Sequence, residues 1–192
     1  GEAILTAIDL GYRHFDCAAI YGNEAEIGEA LATAMANGAV SRDELFITSK
    51  LWNNAHREQQ VRPALEKTLA DLRLDYLDLY LMHWPVAVKE GVGIAESASQ
   101  FLSLEEVPLS ETWQGMECCV DQGLARNIGV SNFSAIKLAG LIDHGRIKPA
   151  VNQVEGHPLL RQQALKDYCD ANGVASTAYS PLGSGDRPDR MK

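Results

Sequence analysis

The chain has 192 residues, of which 46% are hydrophobic and 22% charged, and its formal net charge is −9. This is enough apolar material for one sizeable core, expected as a single domain over residues 1–192. The acidity argues against a whole-surface attraction to nucleic acid or anionic membrane, while a local basic pocket for an anionic cofactor stays allowed.

No apolar run is long enough to span a bilayer. The chain opens on helical periodicity, so no secretory leader is expected. Cys17, Cys118, Cys119 and Cys169 show neither metal-ligand spacing nor a disulfide framework. Reduced thiols, a cytoplasmic location and no bound metal are the corresponding expectations. Adjacent Cys118 and Cys119 suit helix packing.

Glu2 to Leu10 is predicted as a helix stopped by Gly11, and Tyr12 to Asp16 as the first strand. Glu24 to Met35 is the next helix, with Ile27, Leu31 and Met35 on one face and Asn37-Gly38 closing it. Leu45 to Lys50 is a strand. Arg57 to Leu72 is a helix marked by Val61, Leu65, Leu69 and Leu72, with Pro63 expected early in it. Tyr76 to His83 is the third strand. Val86 to Pro108 lacks periodicity and is expected to be a long loop. A helix follows to about Gln122, with Ser110 as its expected N-cap and Gly123 as its stop. Ala125 to Val130 is a strand, and Ser134 caps a helix through Ile142. Ala150 to Val154 is a strand, Leu160 to Ala171 a helix and Val174 to Tyr179 the sixth strand. Ser184 to Lys192 is polar and expected to be loop or disordered.

Alternating strands and helices predict an α/β fold with a parallel sheet. No Gly-rich phosphate turn follows the first strand, which counts against a dinucleotide-binding Rossmann unit. Polar residues instead stand at the ends of all six strands: Asp16, Lys50, His83, Asn132, Gln153 and Tyr179. In a TIM barrel those ends converge on one rim, where the active site sits. Six strands leave an eight-stranded parallel (β/α)8 barrel incomplete.

Four residues make a proton-handling set. Tyr21 carries a phenol, whose ordinary pKa is about 10. A neighbouring Lys50 ammonium is expected to lower it, and Asp16 to hold that ammonium. Neutral His83 can donate a hydrogen bond to a carbonyl oxygen. Such a set suits protonating an oxygen that gains negative charge, as carbonyl reduction requires. Each member alone has a structural explanation, such as a helix cap, a solvated strand-end lysine or a core histidine.

The motifs carrying these residues are DCAAIYGNE, ITSKLW and YLDLYLMHWP. Together with IGVSNF, VNQVE and AYSPLGSG they closely resemble the aldo-keto reductase family across essentially the whole chain. The resemblance implies a TIM barrel that binds NADPH or NADP+ in extended form, with NADH as the alternative. It implies Asp16, Tyr21, Lys50 and His83 as the catalytic set. Ser131, Asn132 and Gln153 would hold the nicotinamide carboxamide, Tyr179 would stack on its ring, and Ser180 and Leu182 would hold the pyrophosphate. Trp52, Trp84 and His83 would face the substrate, a small carbonyl compound or sugar. The full-length relative is expected to be a monomer. Family members also carry an earlier hairpin and strand, and a later segment that binds the 2′-phosphate. The chain is therefore expected to be the middle of a longer product. A non-catalytic nucleotide-binding relative and an unrelated phosphate-binding barrel enzyme are the competing readings.

Overall fold

In the computed structural model, residues 1–183 are described. The elements run α1 (Glu2–Asp9), β1 (His14–Asp16), α2 (Glu24–Ala36), β2 (Phe46–Leu51), α3 (Glu58–Leu72) and β3 (Leu77–Met82). They continue with β4 (Ala87–Val88), β5 (Phe101–Leu102), α4 (Leu109–Asp121), β6 (Ala125–Ser131), α5 (Ala135–His144), β7 (Val151–Glu155), α6 (Gln163–Ala171) and β8 (Ala175–Tyr179). The expectation for Ser184 to Lys192 lies outside the described residues.

Six strands form one all-parallel sheet in the order β1-β2-β3-β6-β7-β8, while β4 and β5 form a separate antiparallel pair. Sequential order with helical crossovers is the connectivity of a (β/α) barrel. The sheet is also curled. Gln153 Nε2 donates to Asp16 Oδ2 at 3.2 Å, although three strands stand between β7 and β1. A flat sheet would separate those strands by roughly 19 Å, four spacings of about 4.8 Å. Six curled parallel strands are thus an incomplete (β/α)8 barrel.

The core lies between the sheet and its helices. Every residue of β3 is buried, as a central parallel strand covered on both faces requires. Val61, Leu65, Leu69 and Leu72 of α3 are buried against it at helical spacing. At the N-terminal end of the strands, Asp78 accepts from Arg42 at 2.8 Å, Arg126 at 3.2 Å and the Ile47 N–H at 2.9 Å. Both guanidinium groups also lie over the Tyr76 ring, at 3.9 and 4.0 Å from its centroid. This cluster ties the entries of β2, β3 and β6 together.

Four local expectations are corrected. Pro63 is the sixth residue of α3 rather than part of its first turn, so its missing N–H removes the bond to the Gln59 carbonyl. Pro108, not Ser110, precedes α4, and the Ser110 side chain lies within the first turn. The 86–108 stretch holds the β4–β5 pair and a short 3-10 turn at Ala98–Gln100. Finally, α6 starts at Gln163 rather than Leu160. A bridge between His157 and Leu160 takes up those backbone groups, and Gln162 turns the chain with φ 51°.

Gly28 sets the distance between α2 and α3. A Cβ there would stand 2.1 Å from the Asp71 carbonyl oxygen and 2.7 Å from Leu72 backbone atoms. Backbone cannot yield as a side-chain tip can. Gly28→Ala is therefore expected to destabilise the fold by about 1–3 kcal/mol, the range for an overpacked core. A lowered urea midpoint with unchanged slope is the expected reading, and an unchanged midpoint would refute the tight crossing.

Candidate active site

The C-terminal ends of the strands bring the predicted polar residues together. Lys50 lies on β2, beside Leu81 of β3, and is only 1% exposed. Its Nζ donates to Asp16 Oδ1 and to the Cys17 carbonyl, each at 2.8 Å. A buried ammonium needs such partners, because desolvation without them is prohibitive. The Asp16 side chain is 41% exposed, so the pair bridges interior and solvent.

Tyr21 is delivered by the 3-10 turn Ala19–Tyr21, which Gly22 ends with φ 69°. Its ring centroid is 5.5 Å from Lys50 Nζ and 6.2 Å, edge to face, from the His83 ring. Tyr21 is 56% exposed. Its pKa runs opposite to the expectation: burial, then the negative charge of Asp16, push it above the ordinary phenol value. The physical reason is that partial burial penalises the phenolate, and the nearby Asp16 carboxylate repels it further. Tyr21 therefore stays a protonated phenol at neutral pH.

His83 follows β3 and is buried. Trp52 stands edge-on to it at 5.2 Å, and Trp84 lies nearly parallel to it at 6.4 Å. Trp84 is 39% exposed and Trp52 is partly buried. Burial and the Lys50 charge lower the His83 pKa to about 4, so the ring is neutral near pH 7. Trp52 Nε1 donates to the Gly93 carbonyl at 2.6 Å, which fixes the 86–108 loop to the site. That contact was not legible in the sequence, since a backbone carbonyl leaves no side-chain signal.

A second chain of bonds runs along the same rim. Asn132 ends β6 with φ 64°, a left-handed conformation that Asn tolerates better than most residues. Its Nδ2 donates to the His83 carbonyl at 3.0 Å, and its Oδ1 accepts from Tyr179 OH at 2.9 Å. Ser131 Oγ donates to the Gln153 carbonyl at 2.8 Å. Gln153 was expected only near a cofactor; its amide also holds the free side of Asp16. Ser180, with φ 48°, and the exposed Leu182 follow Tyr179 on the loop after β8. Among the described residues, no cluster of three or more His, Cys, Asp or Glu side chains could hold a metal ion. No described helix is long and apolar enough to cross a membrane.

Parallel strands of an incomplete barrel thus carry a lysine–aspartate pair, a phenol and a neutral imidazole on one rim. A family model described as the aldo/keto reductase family matches residues 2–191, and the chain belongs to that family. It is 59% identical over 188 residues to an aldo/keto reductase of Synechocystis sp., across 98% of this chain and 58% of that protein. It is 51% identical over 187 residues to aldo-keto reductase family 1 member A1 of Pongo abelii, across 96% of this chain and 58% of that one. Among solved structures, a Bombyx mori aldo-keto reductase in complex with NADP superposes with a TM-score of 0.87 at 43% identity. That match covers 100% of this chain and 58% of the other. An aldose reductase from Giardia lamblia gives a TM-score of 0.91 at 43% identity, covering 95% of this chain and 61% of that one. The chain thus spans about 58% of the length of the curated relatives it matches.

His56, after the short turn at Asn53–Ala55, is also buried, and burial alone lowers its pKa to about 4. Unfolded histidine titrates near 6.5. Between those values the unfolded chain binds more protons than the folded one, so protonation favours unfolding. The contribution of both rings is expected to be complete above pH 6.5 and to fall as pH drops toward 4. Each ring contributes on the order of 3 kcal/mol at full effect. Urea midpoints measured across that window should decline with acid, and His56→Gln should flatten the decline. A midpoint independent of pH there would contradict the neutral, buried rings.

Proposed function

We propose that the protein carrying this chain reduces aldehydes or ketones to alcohols, with NADPH as the reductant. One observation supports this above the rest: Lys50 pairs with Asp16 at 2.8 Å while its ammonium stands 5.5 Å from the Tyr21 ring. Tyr21 serves as the general acid. Its raised pKa keeps the proton on the phenol until a substrate oxygen becomes basic enough to take it. Lys50 and Asp16 hold the charge beside that phenol as phenolate develops. His83 is neutral at working pH, so it positions the carbonyl oxygen by hydrogen bonding rather than supplying the proton. Of the family's roles, the general acid at Tyr21 and the positioning group at His83 are kept, while Lys50 and Asp16 act on the developing phenolate rather than by lowering the pKa of the resting phenol.

The donor set on the β6–β8 rim fits a nicotinamide. Asn132 and Gln153 carry amides that complement a carboxamide, Ser131 adds a hydroxyl, and Tyr179 offers a flat ring held by Asn132. Ser180 and Leu182, on the exposed turn after β8, are the proposed pyrophosphate contacts. When bound, the cofactor supplies a hydride to the carbonyl carbon. The Bombyx mori relative, which is in complex with NADP, supports NADPH as that cofactor. Trp52 and Trp84 wall the substrate side of His83, which suits a small carbonyl compound or sugar and excludes water from it.

Tyr21→Phe is expected to cut turnover of an aldehyde by about 10²–10⁴-fold, the usual worth of a positioned general acid. NADPH should still quench tryptophan fluorescence in that variant, because Tyr21 is not among the proposed cofactor contacts. Undiminished turnover would refute the proton role. Quenching by NADPH without turnover of any aldehyde by the parent protein would favour the non-catalytic relative.

A further inference from the structure

A cavity of about 460 Å³ lies between α2, α3 and the turn after β2, and none of Asp16, Tyr21, Lys50 and His83 lines it. Its walls include Glu24, Trp52, Thr68 and Tyr80, with Lys67 and Asp71 on α3 and several alanines. Glu24 is 4% exposed, which is unusual for a carboxylate. Its oxygens accept from Ser49 Oγ at 2.5 Å and Thr68 Oγ1 at 3.0 Å. Both donors are neutral hydroxyls. Among the described residues Glu24 has no ion-pair partner, since the Lys67 ammonium is taken by Asp71 at 2.6 Å.

Buried carboxylates are normally paired with a cation, because the interior otherwise penalises their charge. Glu24 shows that penalty: burial is the largest cause raising its pKa, and Asp71 adds to it. Its place as the first residue of α2, its two hydroxyl donors and the more distant Lys67 charge favour the charged form without offsetting burial, and no cation touches the carboxylate. A carboxylate has about four lone-pair sites. Two accepted bonds leave capacity for a further donor from the cavity side. The two acids on the lining, Glu24 and Asp71, outnumber its one lysine, Lys67. Around them, alanine side chains and the partly open Trp52 form an apolar wall suited to a hydrocarbon or aromatic body.

We propose that this cavity binds small organic ammonium compounds, the ammonium on Glu24 and the apolar body against Trp52 and the neighbouring alanines. Binding there does not rest on the reductase reading, although Ala19 and Gly22 of the lining flank Tyr21. Trp52 nevertheless belongs to both places, since its ring also stands edge-on to His83. An occupant is thus within one side chain of the catalytic rim.

Titration calorimetry with benzylammonium chloride, at neutral pH and constant ionic strength, tests this on the protein directly. Saturable one-site binding is expected, with benzyl alcohol giving none. Glu24→Gln, checked for native circular dichroism, should weaken binding at least about tenfold, as expected for loss of a charged hydrogen-bond acceptor. Lys67→Gln changes a side chain that is 75% exposed and should fold normally. By removing a competing cation it is expected to tighten binding by about two- to fivefold. The proposal is overturned by absence of saturable heat, by equal binding of benzyl alcohol, or by displacement with potassium chloride at matched concentration. Unchanged affinity in a folded Glu24→Gln protein also overturns it. If that variant does not fold, failure of Lys67→Gln to tighten binding does so instead.

Discussion

The arrangement rests on one buried ammonium. Lys50 projects from β2 into the concave side of the sheet, where almost no solvent reaches it. Its charge is tolerable only because Asp16 and the Cys17 carbonyl converge on it at 2.8 Å. Those groups come from the end of β1 and the residue after it, so satisfying Lys50 fixes how β1 closes on β2. The carboxylate that satisfies Lys50 also faces Tyr21, and its charge adds to the effect of burial in holding that phenol above its ordinary value.

Curvature follows from the same place. Asp16 gives one oxygen to Lys50 and the other to Gln153, four strands further around the sheet. On the far side, the Tyr179–Asn132–His83 sequence of bonds draws the ends of β8, β6 and β3 together. The rim is thus a network of polar contacts between strands that a flat sheet would hold apart. Its counterpart at the opposite end is the Asp78 cluster, where two guanidinium groups share one carboxylate and one aromatic ring. One end of the strands is built for chemistry and the other for holding register.

Much of this was legible in the residues. Apolar runs broken by helical periodicity located every strand of the main sheet to within two residues at either end. A polar residue at each strand end named the rim, because parallel βα units place all those ends on one side. What escaped was tertiary in origin. Two-residue strands such as β4 and β5 have no period to detect, so the 86–108 stretch looked featureless. Ser110 has the chemistry of a cap, but Pro108 already supplies the extended backbone that enters α4. Pro63 is tolerated in mid-helix because α3 is held by its packed face rather than by each of its own hydrogen bonds. The direction of the Tyr21 shift is set by its burial and then by the nearby Asp16 charge, and the order of residues along the chain encodes neither. The second role of Gln153 depends on sheet curvature and was invisible for the same reason.

The thiol of Cys17 sits one residue from Asp16, and burial with the charges of Glu24 and Asp16 pushes its pKa up to about 12. A thiol so reluctant to ionise is a poor nucleophile toward alkylating reagents and peroxide. Cys119 and Cys169 are buried as well, whereas Cys118 is partly open to solvent on the outer helical layer. Electrophilic dyes or crosslinkers would therefore attach to α4 and leave the Lys50–Asp16 rim unmarked, so this stretch of chain carries one accessible thiol as a handle for surface immobilisation.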